Sequence, residues 1–398
     1  MESASRRCPR CGEQLRDAAT ECPSCGEDLA PEVRPTRGVV LLLVIILVIG
    51  FTVTGVIVRG FKARQALLAE RWFARGDRDL AQSNALRAVD EIQTALAYSP
   101  NSDAYRLKLA LALMQAGRLP EARVHLTNLW EQRPGDATVN LQLARVMTRL
   151  GDAQEAIRYY HGAIYGVWAG RPLENREAAR FELAKYLLST NQLGVAQSEL
   201  IALAAELPPN SAQQQVKLGD MMMEAGEPDR ALTAYKNARK ADRNNMQADL
   251  GAAQAAFAVR NWAEARDYAR LALKIDPQQE GATLLDKQSQ LILATDPYAK
   301  GLKLGARSER AQAAFETASD RLDECLASRT DPTLEQLSTQ RQANFKRVRA
   351  SVLRRDPDQL DSVVRWSYDV EKASEGTCGA PAGTNAALLI LARGSGAH

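Results

Sequence analysis

The sequence predicts an all-α protein: a solenoid of helical hairpins with a C-terminal helical domain, one transmembrane helix and a small metal-binding module. Three observations predict it: an uncharged apolar run at 39–58, small residues recurring about every 34 residues after it, and two cysteine pairs before it. Aromatic residues make up only 6% of the chain, as is typical of helical proteins. We expect five segments: a ribbon at 1–29, a linker at 30–37, a membrane helix at 38–59, the hairpin array at 60–279 and a C-terminal helical domain at 280–398.

The N-terminal module is predicted from four cysteines, Cys8, Cys11, Cys22 and Cys25. Each Cys-x2-Cys turn directs two thiolates to one ion, and two such turns complete a tetrahedral S4 site for Zn²⁺. A segment this short buries too little apolar surface to fold without a metal. Two disulfides or a redox-active Cys-x-x-Cys are the alternatives, and neither explains the duplicated Cys-Pro-x-Cys-Gly pattern.

This stretch resembles the short zinc-ribbon modules at the N-termini of many bacterial membrane proteins. The resemblance covers about 20 residues, and four sulfur ligands imply a structural rather than catalytic metal. The ribbon's basic and acidic residues balance, so no basic stripe is expected to hold the phosphates of a nucleic acid. The basic residues are Arg6, Arg7, Arg10 and Arg16, and the acidic ones are Glu13, Asp17, Glu21 and Glu27.

The apolar run VVLLLVIILVIGFTVTGVIV predicts a single membrane-spanning helix. At about 1.5 Å per residue it reaches roughly 30 Å, the hydrocarbon thickness of a bilayer. A cleaved signal peptide is the alternative, but its apolar core would be shorter and would begin near the N-terminus. We therefore expect a single-pass membrane protein, by resemblance one of a bacterial inner membrane.

Two features of the sequence predict opposite orientations of this helix in the membrane: the chemistry of the cysteines and the distribution of the basic residues. Thiolate ligands need a reducing compartment, which favours a cytoplasmic ribbon and an extracytoplasmic body. The basic residues favour the reverse, since Arg34 and Arg37 precede the run while Arg59, Lys62, Arg64 and Arg71 follow it. We expect the ribbon in the cytoplasm, because the charge rule applies best to short loops and the body is large.

The body repeats one pattern of small residue, turn residue, small residue and proline at fixed offsets. One pair of helices cannot bury its own apolar faces, so several pairs must stack to form a core. The positions are Ala110, Gly117, Ala122 and Pro134; Ala144, Gly151, Ala156 and Trp168; Ala184, Asn191, Ala196 and Pro208; Gly219, Gly226, Ala231 and Arg243; and Ala253, Arg260, Ala265 and Pro277. This region resembles the tetratricopeptide repeat family over about 180 residues.

The unit before these repeats, Phe61–Pro100, is irregular. Gly76 occupies the expected turn position, and the second helix is predicted to be about seven residues longer than usual. Only Gly60 separates this unit from the apolar run, so the membrane helix can continue into it. Basic residues after the run would then contact anionic lipid headgroups.

The resemblance implies a concave surface lined by the first helix of each pair. The implied contact residues are Leu111, Met114, Arg145, Phe181, Lys185, Asp220, Met223 and Phe257. This surface suits an apolar helix or extended peptide, with an acidic group near Arg145 and Lys185. The alternatives are that these residues pack between neighbouring helices or that the chain's own tail covers them.

In the C-terminal region the sequence predicts a helix near 281–293 that closes the array, followed by helices at 308–328, 332–354 and 357–374. Three helices joined by tight turns alternate in direction, which brings Cys325 and Cys378 to the same end. These cysteines are candidates for a disulfide, with two free thiols as the alternative. The final run AALLILAR is predicted to be a buried helix or strand.

The sequence predicts a non-enzymatic function. It contains no nucleophile–base pair, phosphate loop or dinucleotide motif. The favoured interpretation is a membrane-anchored scaffold that binds a protein or peptide, with the lipid bilayer as second partner and neither nucleic acid nor a small-molecule substrate. The alternative is a transducer that couples a cytoplasmic zinc-ribbon interaction to an extracytoplasmic sensor.

Overall fold

The structure is a computed structural model that describes residues 6–16, 19–29 and 37–394. Within these residues the chain forms eighteen α-helices and one two-stranded antiparallel sheet. The prediction of an all-α protein is confirmed. The chain divides into two compact units, residues 1–125 and 126–398.

The first unit begins with the ribbon, where β1 (Arg6–Arg7) pairs with β2 (Gln14–Leu15). Helix α1 (Arg37–Ala81) follows, then α2 (Ala85–Tyr98), α3 (Asp103–Gln115) and the start of α4 (Leu119–Gln132). Helices α1 and α2 pack against each other, and α2 also packs on α3.

Helix α1 contains the apolar run and continues without a break beyond it. Its 45 residues correspond to about 67 Å of helix. It is the one helix in the described part of the chain that is long and apolar enough to cross a membrane. Its first buried residue is Ala69, so the packed part of the unit begins about 16 Å after Val58.

The predicted turn at Gly76 is wrong. Gly76 lies inside α1, and a Cβ atom at this position would overlap the side chain of Ile92 on α2. The turn lies instead at Ser83, which takes a left-handed φ of 64°. The extra length of this unit therefore belongs to its first helix, while α2 has an ordinary 14 residues. Gly76 is small because two helices approach closely there, not because the chain turns.

The second unit contains the rest of α4 and fourteen further helices. Paired helices pack against each other, and α13 packs on α12. The bounds of the array helices are α5 (Ala137–Leu150), α6 (Ala153–Tyr165), α7 (Pro172–Ser189), α8 (Leu193–Glu206), α9 (Ala212–Glu224), α10 (Pro228–Ala241), α11 (Met246–Ala258), α12 (Trp262–Ile275) and α13 (Glu280–Thr295).

The repeat positions have the predicted conformations. Left-handed φ values occur at each of the five turn positions, Gly117, Gly151, Asn191, Gly226 and Arg260. The small residues at the helix positions are fully buried wherever they are alanine, as Ala144 and Ala156 illustrate. Close helix packing and left-handed turns together explain the 34-residue pattern.

The last five helices form a separate core at the end of the chain. They are α14 (Leu304–Ser328), α15 (Pro332–Asn344), α16 (Ala350–Leu353), α17 (Pro357–Cys378) and α18 (Gly383–Gly394). The final run forms a helix, which buries Leu388 and packs on α13, α14 and α17.

The single helix predicted over 332–354 is wrong, because the chain breaks between α15 and α16. At the break Phe345 packs edge-on against Phe315 and also contacts Trp366. The Ala350 N–H donates to the Gln312 side-chain oxygen at 2.6 Å. The partly buried Phe345 ring therefore packs against the core at the point where a helix that the local pattern would continue ends.

Candidate metal centre and partner-binding surface

The four predicted metal ligands come together in the ribbon. The ligand atoms of Cys8, Cys11, Cys22 and Cys25 all lie within 4.8 Å of one another. Two sulfur–sulfur separations are 3.7 Å (Cys8 to Cys25) and 3.5 Å (Cys11 to Cys22). A tetrahedral ion with metal–sulfur bonds of about 2.3 Å requires sulfurs about 3.8 Å apart. The four sulfurs therefore fit one metal ion.

Backbone geometry creates this cluster. Gly12 and Gly26 follow the second cysteine of each turn with φ values of 78° and 69°, and each donates its N–H to the carbonyl of the first cysteine at 2.9 Å. The backbone N–H of Cys11 is the largest of the effects that lower the pKa of Cys8, to about 7. The backbone N–H of Glu27 acts in the same sense on Cys25, but burial and the neighbouring sulfurs outweigh it and raise that pKa to about 12. Crowded thiols of this kind ionise together only when a cation neutralises them.

The predicted groove residues of the first unit lie on α3. Leu111 is half-buried and Met114 is buried. In the second unit Phe181 on α7 is also buried, with 3% exposure. The burial of Met114 and Phe181 favours the alternative in which they pack between helices.

Arg145 already has a carboxylate partner. Its Nε and one terminal nitrogen each donate to a different oxygen of Glu182, both at 2.8 Å. The hydroxyl of Tyr160 donates to Glu182 as well, at 3.1 Å. This bidentate pair joins α5 to α7 and neutralises the cation that was predicted to receive an acidic group. Glu182 was missed because its contact with Arg145 crosses 37 residues of sequence.

The cations that remain in this region are Lys185 on α7 and Lys217 on α9. Lys217 lies 4.1 Å from the centre of the Phe181 ring, a cation–π contact. Burial lowers the pKa of Lys217, and the positive charge of Lys185 lowers it further. Neither ammonium group has an ion pair with a carboxylate among the described residues. Lys217 was missed because it does not occupy one of the contact positions that the family resemblance implies.

The other predicted groove residues have structural contacts. Asp220 is exposed and accepts a hydrogen bond of 2.7 Å from the Tyr235 hydroxyl. Met223 and Phe257 are half-buried, and the Phe257 ring contacts Trp262 edge-on with centroids 4.8 Å apart. The surface therefore combines a few partly exposed apolar groups with charged groups from α5, α7 and α9.

The two distal cysteines are also placed together. The structure joins Cys325 on α14 to Cys378 at the end of α17 as a disulfide, with Cα atoms 5.9 Å apart. Arg321, one turn before Cys325, donates to the Gly379 carbonyl at 2.7 Å. The same side chain lies 3.2 Å from the buried carboxylate of Glu371.

Comparison with known protein families agrees with this geometry. The sequence models described as tetratricopeptide repeat match residues 113–164 in one case and residues 73–137 and 216–280 in another. The model described as zinc-ribbon domain matches residues 7–29. This chain contains tetratricopeptide repeats and a zinc ribbon. The repeats support a protein-binding scaffold, and none of the matched families is an enzyme family.

Solved structures match parts of this chain at low sequence identity and low TM-score. The C-terminal part of a repeat protein from Cytophaga hutchinsonii is 11% identical, with a TM-score of 0.43 over 77% of this chain and 97% of that one. YrrB, described as having an unusual peptide-binding site, is 18% identical, with a TM-score of 0.38 over 49% and 97%. Pseudomonas aeruginosa PilF is 19% identical, with a TM-score of 0.32 over 47% and 86%. The comparison with curated proteins finds no match.

Proposed function

We propose that this protein is a non-catalytic scaffold, anchored in a membrane by residues 38–59, that binds protein partners on its tetratricopeptide repeats. The observation that carries this proposal is the order of three features along the chain. Four cysteines grouped for a metal precede a helix of membrane-spanning length, and two cysteines grouped for a disulfide lie in the body after it. The proposed domain bounds are those predicted from the sequence.

The metal in the ribbon is proposed to be Zn²⁺, because four thiolates in tetrahedral proximity suit this ion. Zinc thiolates persist in a reducing compartment, whereas a structural disulfide persists in an oxidising one. The two cysteine groups are therefore best explained by opposite sides of a bilayer. We infer a cytoplasmic ribbon and an extracytoplasmic repeat body, in a bacterial inner membrane.

Thiol labelling in intact cells tests this arrangement. A membrane-impermeant maleimide should label Cys325 and Cys378 only after treatment with an impermeant reductant, and it should never reach the ribbon cysteines. Labelling of the ribbon cysteines in intact cells would show that the topology is the reverse of the one proposed. Recovery of the whole chain in the soluble fraction after ultracentrifugation would refute the anchor itself.

The partner-binding surface is proposed to be the face that carries Arg145, Lys185, Lys217 and Asp220. Because Arg145 is bound by Glu182, an acidic group of a partner is best received by Lys185 and Lys217. A bound carboxylate would relieve the repulsion between these two ammonium groups. The surface is expected to accept a peptide or protein, and no small-molecule substrate.

Cross-linking and pull-down of the full chain test this surface. Lys185→Glu with Lys217→Glu should remove the specific partners, while Lys274→Glu, near the end of α12, removes a basic charge elsewhere in the array as a control. If the set of captured proteins is unchanged in the double variant, this face is not the binding surface. Loss of partners in the control as well would indicate a nonspecific charge effect.

The second candidate function is a transducer between the ribbon and the repeats. The observation that favours it is the continuity of α1, which runs unbroken from Arg37 to Ala81. A continuous helix can transmit rotation or displacement, whereas a flexible linker cannot. Inserting four glycines after Gly60 should abolish a transduced response but leave partner capture by a scaffold intact.

A further inference from the structure

The basic residues of the ribbon are separated by the fold, although the composition suggested that they are balanced by acidic ones. Arg10 forms an ion pair with Glu27 at 2.9 Å on the ribbon surface. Arg6, Arg7 and Arg16 instead line one recess of about 280 Å³. No carboxylate among the described residues lines this recess, and none forms an ion pair with these three arginines.

The recess has a mixed apolar and cationic surface. Its lining includes Pro9, Leu15 and Leu29 beside the three arginines. Pairing of β1 with β2 places Arg6 opposite Leu15 and Arg7 opposite Gln14, so the arrangement belongs to the folded hairpin. Guanidinium groups bind phosphate oxygens through paired hydrogen bonds, and neighbouring apolar groups suit the less polar part of an amphipathic ligand.

The position of Leu29 relates this recess to the membrane helix. Leu29 is the last described residue of the ribbon, and α1 begins eight residues later at Arg37. Eight residues span at most about 28 Å. The recess therefore lies where the chain leaves the ribbon, within a short tether of the first turn of α1.

We propose that Arg6, Arg7 and Arg16 form a binding site for the phosphate headgroup of an anionic phospholipid. This inference rests on the proposed membrane anchor, which keeps the ribbon close to a bilayer. A recess with three cations fits one headgroup and does not form the extended basic stripe that tracks a nucleic-acid backbone. The site holds the ribbon against the membrane surface rather than leaving it free on its linker.

Arginine footprinting of the full-length protein in lipid nanodiscs tests this site. The probe is a disc of phosphatidylcholine with about 30% phosphatidylglycerol, compared with a disc of phosphatidylcholine alone. Each cation near an anionic surface is worth about a fivefold preference. Phenylglyoxal modification of Arg6, Arg7 and Arg16 should therefore slow tenfold or more in the anionic disc, and 0.5 M salt should remove this protection. Arg10 is the internal control and should react equally in both discs.

Variants make the test specific. Arg6→Gln or Arg16→Gln should restore fast modification of the remaining recess arginines in the anionic disc, whereas Arg10→Gln, which removes the same charge, should not. Zinc content at one ion per chain verifies that each variant is folded. Equal modification in both discs overturns the inference, as does an Arg10→Gln effect as large as the others.

Other outcomes distinguish the lipid site from a nucleic-acid site and from the proposed membrane anchor. A 20-nucleotide RNA that protects the recess at a lower phosphate concentration than the anionic disc would show a nucleic-acid site and overturn the lipid assignment. Failure of the chain to enter discs would overturn both the membrane anchor and this inference. Entry into discs without selective protection would overturn the lipid site alone.

Discussion

Arg260 donates hydrogen bonds to the carbonyl oxygens of Gly394 at 3.0 Å and Arg393 at 3.3 Å, across more than 130 residues of sequence. Arg260 occupies the left-handed turn between α11 and α12, where φ is 62°. An L-residue other than glycine costs about 1 kcal/mol in this conformation. The contact explains why arginine stands at a turn position that favours glycine, because its guanidinium binds the carboxyl end of α18.

Replacing Arg260 by glycine should keep the turn and release α18. Two charge-assisted hydrogen bonds at an exposed site contribute about 1.4 kcal/mol, which corresponds to a tenfold change in local opening. Hydrogen exchange of residues 383–394 should therefore accelerate about tenfold, while exchange of α11 and α12 stays unchanged.

Asn191→Gly is the matched control for this substitution, because Asn191 is also left-handed, with φ of 56°. It should stabilise the array by a few tenths of a kcal/mol and leave α18 unaffected. Unchanged exchange of α18 in Arg260→Gly would show that the contact with Gly394 does not hold this helix.

Gly219→Ala should destabilise the array by about 1–3 kcal/mol through overpacking. An alanine Cβ at Gly219 would lie 2.7 Å from the ring of Tyr235, which also packs against Gly251. The ring cannot move freely, because its hydroxyl donates to Asp220 at 2.7 Å. Thermal or urea unfolding monitored by circular dichroism measures the loss.

Gly194→Ala provides the control for this prediction. Gly194 lies within α8, and a Cβ atom there meets nothing within 4 Å. Because Gly194 is the second residue of α8, the substitution should raise the free energy of unfolding by no more than about 0.5 kcal/mol, since glycine is the poorer helix former. A destabilisation of equal size at Gly194 would mean that the effect at Gly219 does not arise from contact with Tyr235.

Local rules predicted the repeats well and long-range contacts poorly. Residues with left-handed turn conformations, such as Gly151 and Asn191, could be recognised from the sequence because each needs only its own backbone geometry. The prediction of a turn at Gly76 was wrong because this residue is small for another reason: a larger one would overlap Ile92 on the neighbouring helix. The break at Phe345 and the pairing of Arg145 with Glu182 likewise depend on residues far along the chain. In the described part of the ribbon, composition predicted the number of charges but not that Arg10 pairs with Glu27 while Arg6, Arg7 and Arg16 line a recess.

Removing the metal should unfold the ribbon and leave the repeats folded. In the described part of the ribbon, the buried apolar core is formed by Cys8, Leu15 and Cys22, so little holds it together without a bound ion. Chelator should bring residues 6–29 to full hydrogen exchange within seconds, while the array keeps its melting temperature.

Zinc added back should restore protection, and Mg²⁺, which prefers oxygen ligands, should not. A ribbon that remains protected after verified loss of its metal would contradict a metal-dependent fold. Lowering the pH should weaken zinc binding, because protons compete for the four thiolates.

Stability of the C-terminal helices should fall as the pH rises from about 4.5 to 7. Glu371 is fully buried, and neither of its oxygens has a hydrogen-bond partner among the described residues. Burial raises its pKa from the ordinary value of 4.5 to about 7, although the nearby Arg321 acts in the opposite direction. The folded state therefore binds a proton that the unfolded chain has already lost in this range. The linked loss amounts to about 3 kcal/mol and levels off above pH 7.

Glu371→Gln should remove this dependence, since the amide is neutral at every pH and nearly the same size. The variant should gain stability over the native protein above pH 7 and show no advantage below pH 4.5, as measured by urea unfolding at a series of pH values. Glu375→Gln is the control, because Glu375 is partly exposed and forms an ion pair with Arg393 at the surface. Among the described residues, Arg321 is the charged group that acts on the Glu371 carboxyl. A slope that persists in Glu371→Gln must therefore come from another group, which would exclude Glu371 as its source.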